Sequence, residues 1–274
     1  MITLRFHLTS PFSGEIGFSG IALRAGFLNY LREYDNELSG KVHGANGLRA
    51  YSIDPFPCNK RFITQFEEGQ EYDFSVHLFR PSAFQDLIRK IVLNNCYRIR
   101  LYHHTFSMIR IDFERKVPST MMKEWTRCVD ESDRTPIRMR FRFETPTQLS
   151  NYGSDRAFLL PTPEKVFTGL LRIWNTMENA THLETTSEYH DWTTKNIYIS
   201  GHNIQTVKVP LGRQRNILGF IGNIVYNIDV REDPLTKLTV GLAKFAEISN
   251  VGKNRSAGFG KVYVDILEDS CRNG

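Results

Sequence analysis

The sequence contains no C-x-x-C pair. Its four cysteines, Cys58, Cys96, Cys128 and Cys271, are scattered, which excludes the common zinc spacings and offers no disulfide framework. No apolar run is long enough to span a bilayer. The stretch Met1 to Leu8 places Arg5 and His7 among its apolar residues, where a signal peptide needs an uninterrupted apolar core. A cytoplasmic protein without a membrane partner is the expectation. Also missing are G-x-x-x-x-G-K-[ST] and a helix-opening G-x-G-x-x-G, so neither familiar nucleotide loop is present. Carboxylates, histidines and cysteines nowhere cluster at ligand spacing, and no metal or cofactor is expected.

What is present suits a globular protein of two ordinary domains. The chain has 274 residues, 41% hydrophobic and 24% charged, with a net charge of +5. That balance favours a polyanionic partner without proving one. Period-two alternation predicts strands over 2–8, 50–53, 72–79 and 99–113. Helical spacing predicts helices over 20–34 and 82–93, the second with Ser82 as a candidate N-cap. A charged stretch at 130–136 reads as a linker. Beyond it, Ile137 to Phe143 alternates apolar residues with Arg138, Arg140 and Arg142. Helices are expected over 163–177 and 235–248, and strands over 196–209, 217–228 and 259–266. Both halves therefore read β-α-β-β-α-β. The fold class is α+β: two tandem ferredoxin-like units, residues 1–130 and 136–274, an architecture that hosts many RNA binders.

The segment Asn250-Val-Gly-Lys-Asn-Arg-Ser-Ala-Gly-Phe-Gly-Lys261 lies between the last helix and the last strand of that scheme. Glycines let backbone approach a ligand, and successive N–H groups with nearby cations make an anion-binding surface. Gly252, Lys253, Asn254, Arg255, Gly258, Gly260 and Lys261 are the candidate RNA contacts. The competing reading is a turn that serves structure only.

This segment, together with Leu218 to Val225, Ala243 to Ser249 and Phe143-Glu-Thr-Pro-Thr-Gln-Leu149, resembles the C-terminal signature of CRISPR-associated repeat-RNA endoribonucleases. The resemblance spans most of the chain and is strongest after residue 137. At Asn250 that family usually carries another glycine, and Asn tolerates left-handed backbone better than most residues. The resemblance implies a metal-independent cut of precursor RNA within each repeat. The 2′-hydroxyl would attack the adjacent phosphate, leaving 2′,3′-cyclic phosphate and 5′-hydroxyl ends. It further implies CRISPR repeat RNA as partner, and admits a homodimer or membership of a CRISPR effector complex.

Such a reaction needs a proton acceptor, a proton donor and cations near the developing charge. Among eight histidines, His43 is the candidate, in a loop with Gly40, Gly44 and Gly47 where the family commonly places its catalytic histidine. His77 and the His103–His104 pair read as structural, while His7, His182, His190 and His202 have no supporting pattern. The family often adds a tyrosine from the first helix, here Tyr30 with Tyr34 as rival, and a lysine after the histidine. Lys41 stands two residues before His43 and Arg49 six after it, so the cation role is open between them. Lys208, Arg213 and Arg215 surround a hairpin turn that the family commonly applies to RNA. A non-catalytic RNA-binding protein of the same superfamily is the alternative function.

Overall fold

The structure is a computed structural model and describes residues 1–34, 49–85, 88–89, 98–131, 136–151, 154–180, 186–211 and 215–267. In the N-terminal half, β1 (Ile2–Thr9) is followed by β2 (Gly14–Ile16) and α1 (Ser19–Tyr34). Then come β3 (Tyr51–Asp54), β4 (Thr64–Phe66), β5 (Glu71–Leu78), β6 (Arg98–Leu101) and β7 (His104–Arg115). The main sheet has the order β3-β5-β1-β7-β6. A helix α2 (Pro118–Glu131) leads into the C-terminal half. There β8 (Ile137–Thr147), β9 (Leu149–Asn151), β10 (Ser154–Phe158), α3 (Pro163–Trp174) and α4 (Thr186–Asn196) precede β11 (Ile197–Leu211), β12 (Arg215–Ile228), α5 (Pro234–Ser249) and β13 (Val262–Leu267). The second sheet has the order β11-β12-β8-β13. Counting only β1, β3, β5 and β7 in the first half and β8, β11, β12 and β13 in the second, both sheets place their strands 2-3-1-4. This is the ferredoxin-like arrangement.

Alternation is what seats each sheet. Ile137, Met139, Phe141 and Phe143 are buried while Arg140 and Arg142 face outward, as a sheet with one covered face requires. Phe141 meets Phe167 of α3 and Tyr226 of β12 edge-on, at 5.8 and 5.1 Å between ring centres. The N-terminal core gathers Leu4, Phe6, Phe27, Phe74 and Val76 between β1, β5 and α1. Helix α5 starts at Asp233, whose carboxylate accepts from the Leu235 N–H (2.8 Å), with Pro234 in the first turn. Among the described residues no helix is long and apolar enough to cross a membrane.

Three expectations change. The strand expected over 99–113 is a hairpin: Tyr102 takes a φ of +54° and, with His103, turns the chain between β6 and β7. His104 therefore begins β7 and stacks on Phe12. Ser82 is not an N-cap; residues 81–84 form a short 3-10 turn preceded by Arg80. Residues 118–131, for which the sequence reading assigns no element, form α2, which lays Met121, Met122, Trp125 and Val129 against the C-terminal core, while residues 132–135 of the expected linker lie outside the described residues. The last strand begins at Val262, three residues later than expected, since residues 259–261 belong to the glycine-rich loop.

The halves are pinned by a polar network as well as by packing. Thr3 Oγ1 lies 2.9 Å from His77 Nδ1, and His77 Nε2 lies 3.2 Å from Asp54 Oδ2. From the other half, Lys261 Nζ donates to Asp54 Oδ2 and to the Glu247 carbonyl, both at 2.7 Å. Burial pushes the Asp54 carboxyl up, but the opposing pull of His77 and Lys261 is larger and holds it below the usual carboxylate range. Its stabilising contribution is complete above the unfolded value of about 3.9 and vanishes as pH falls through the lower folded value. Denaturant melts across this acid range should therefore show wild type losing stability more steeply than Asp54→Asn. At neutral pH the variant should be less stable by about 1–3 kcal/mol.

Candidate RNA interface

The glycine-rich loop begins where α5 ends. Asn250 has φ +57° and ψ 165°, a conformation that is strained for any residue other than glycine. Its side chain is completely buried, and Nδ2 donates to the Ile53 carbonyl of the N-terminal half at 3.0 Å. The asparagine thus turns the chain and holds the facing sheet, which a glycine could not do. Gly260 has φ +74°, and a Cβ there would lie 1.9 Å from the Val251 carbonyl oxygen, so the loop closes on itself only with glycine at that point.

Residues 143–149 hold the loop from beneath. The Lys253 N–H donates to the Gln148 carbonyl (2.7 Å), the Gly260 N–H to the Pro146 carbonyl (3.2 Å), and Thr145 Oγ1 donates to the Gly258 carbonyl (2.8 Å). Two segments of the sequence signature more than a hundred residues apart are therefore one hydrogen-bonded unit. From above, Phe259 packs on Phe18 with ring centres 4.7 Å apart, and Ala257 lies against Gly20 of α1.

Arg255 completes the attachment. It is 4% exposed; Nη1 donates to the Ser249 carbonyl at 3.0 Å and Nη2 to the Arg49 carbonyl at 3.1 Å. Burial lowers its guanidinium to about 10, so it remains charged at neutral pH. Beside it opens a cavity of about 570 Å³ between the loop and α3, reached by Arg49, Lys165, Arg172, Lys253 and His190. Burial, and then the charge of Arg49, lowers the Arg24 guanidinium; burial alone lowers that of Arg172. Cations gathered in a concave site form a field suited to an anionic ligand.

The expected site residues divide into three groups. Arg49, Gly252, Lys253, Asn254 and Arg255 meet at this cavity. Others have structural surroundings: Tyr30, the candidate catalytic tyrosine, is 2% exposed and packs edge-on against Phe6. Arg255 and Lys261 are engaged within the protein, the first by backbone carbonyls, the second by Asp54 and the Glu247 carbonyl. Gly258 and Gly260 are buried turn residues. Lys208 is exposed on β11 opposite Leu218 of β12, and Arg215 opens β12 opposite Leu211. His43, Lys41 and Arg213 lie outside the described residues. His190, Arg172 and Gly169, without a functional signal in sequence, also line the cavity; a glycine inside the helical pattern of α3 is the one available hint.

Residues 141–262 match the family model described as CRISPR-associated endoribonuclease Cas6. The match covers somewhat less than half of the chain. Its solved neighbours agree in fold. A product complex of Cas6 (TTHB231) aligns at TM-score 0.72 and 17% identity over 96% of this chain and 98% of that one. The Thermus thermophilus protein itself (TTHB231) aligns at 0.65 and 16%, over 96% and 98%. A Cas6 (TTHA0078) product complex gives 0.64 and 19%, over 97% and 100%. At these identities the structural likeness speaks for the fold, and no curated protein sequence matches the chain. The Cas6 signature matched in sequence covers the loop and most of the strand that supports it.

Exchanging Asn250 separates its two tasks. Asn250→Gly relieves the backbone strain while losing the Nδ2 hydrogen bond to the Ile53 carbonyl and a longer one, at 3.5 Å, to the Arg255 carbonyl, and should lie within about 1 kcal/mol of wild type. Asn250→Ala loses the bonds and keeps the strain, and should cost about 1–3 kcal/mol in a urea melt.

Proposed function

We propose that this chain is a Cas6 endoribonuclease and cuts CRISPR precursor RNA within its repeats by attack of the RNA on itself. The 2′-hydroxyl oxygen bonds to the adjacent phosphorus, the bond to the 5′-oxygen breaks, and the proton lost by the nucleophile is matched by one gained by the leaving oxygen. The products carry a 2′,3′-cyclic phosphate and a 5′-hydroxyl. His43 is assigned to the proton transfers, as the family resemblance suggests. The observation that carries the reading is the convergence of Arg49 with the glycine-rich loop at one cationic cavity. Arg49 supplies fixed positive charge near the scissile phosphate, and Lys253 adds to it. Lys41 remains a candidate second cation.

Lys208, Arg213 and Arg215 sit on or beside the β11–β12 hairpin and would carry the RNA past the loop by pairing with its phosphates. Solved neighbours include a Cas6-RT-Cas1–Cas2 complex, of which this chain covers 29%. Association with other CRISPR proteins is therefore a reasonable assignment here too, whereas a homodimer rests on the family resemblance alone.

Repeat RNA incubated with the protein in excess EDTA should be cut, and the same RNA with 2′-deoxyribose at the cut site should not. His43→Ala should reduce the single-turnover rate by about 10²–10⁴-fold. Cutting that requires added divalent metal would overturn the mechanism. Binding without cutting would reassign the protein to RNA retention.

A further inference from the structure

We propose that the cavity between the glycine-rich loop and α3 is a nucleotide pocket, receiving one unstacked nucleotide of the RNA beside the cut. The proposal rests on the RNA-processing reading above and gives this site a substrate part that reading leaves unassigned.

The first observation is size and lining. A volume of about 570 Å³ is that of a small-molecule site rather than a niche for one phosphate. Leu149, Val166 and Ile173 line it and are buried, whereas Lys165, Arg172 and Lys253 line it and are half-exposed. An apolar inner wall with an outer rim in which Lys165, Arg172 and Lys253 outnumber the Glu164 carboxylate matches a base joined to a phosphate. It does not match a bare anion, which would leave the apolar wall uncovered.

Gly169 supplies the second observation. It lies within α3, where glycine weakens the helix relative to alanine. Neither a positive φ nor a close neighbour requires it: a Cβ built there meets nothing within 4 Å. The space it leaves is part of the cavity. Packing gives no reason for this glycine, and room for a ligand does.

Unmet hydrogen-bonding groups are the third. Arg49 Nη1 and Thr168 Oγ1 are buried at the cavity wall without a hydrogen-bond partner among the described residues, and Thr168 is only 5% exposed. Buried polar groups are nearly always paired in native proteins. A nucleotide offers phosphate and ribose oxygens as acceptors, and its base offers edge groups to the hydroxyl.

The test uses the full chain and varies the space at Gly169. Isotope-labelled protein is titrated with the four ribonucleoside 5′-monophosphates and, separately, with inorganic phosphate, while NMR follows the amides of Gly169 and Lys253. At least one nucleotide should shift these amides at concentrations where phosphate does not. Affinity should fall in the order wild type, Gly169→Ala, Gly169→Phe, while Tm holds or rises. In repeat-RNA cleavage, Gly169→Phe should raise KM by about tenfold or more. Nucleotide binding that Gly169→Phe leaves intact, or phosphate binding as well as any nucleotide, overturns the pocket even if RNA is cut normally. Nucleotide binding blocked by Gly169→Phe in a protein that cuts no repeat RNA upholds the pocket and overturns the processing reading instead.

Discussion

The two halves of this protein meet through the glycine-rich loop, and everything proposed for the site depends on that junction. The loop hangs from β8 by hydrogen bonds to residues 145–148 and reaches the N-terminal half through Asn250, Arg255 and Phe259. Arg255 is its most constrained member, a buried guanidinium shared between the end of α5 and the Arg49 carbonyl. A buried charge with hydrogen-bonded acceptors is costly to disturb. It therefore fixes the Arg49 backbone beside the cavity.

This arrangement divides the cations of the loop by task. Arg255 and Lys261 face inward and bind the halves together. Lys253 and Asn254 face the cavity. A strand elsewhere shows the same division: Arg142 donates to Glu144 at 2.6 Å and lies 5.1 Å above the Tyr263 ring, so a sequence of alternating arginines is not simply a phosphate track. Positive charge in such a sequence is shared between holding the fold and meeting the ligand.

Much of the architecture is legible from alternation and helical spacing, because elements such as β8 and α1 bury one clear face. Helix α2 is hidden in the sequence although Met121, Met122, Trp125 and Val129 recur at helical intervals, because exposed charged and polar residues stand between them. Helix α4 buries little beyond Tyr189 and Thr193 and so has almost no periodic signal. The turn at Tyr102 lacks glycine, proline and asparagine, and nothing local announces it. At the site, the loop and Arg49 are readable from composition and resemblance. That Arg255 and Tyr30 are buried is not, since burial there is decided by partners from the opposite half or sheet.

The most direct test of the account is the salt dependence of RNA affinity for three proteins: wild type, Lys253→Met and Arg255→Met. Each phosphate that a variant no longer neutralises should make the slope of log affinity against log salt shallower by about one. The account requires that change for Lys253→Met. For Arg255→Met it requires an unchanged slope with a lowered Tm. An equally shallow slope in both variants would show Arg255 on the RNA, and would contradict a loop whose buried arginine holds the two halves together.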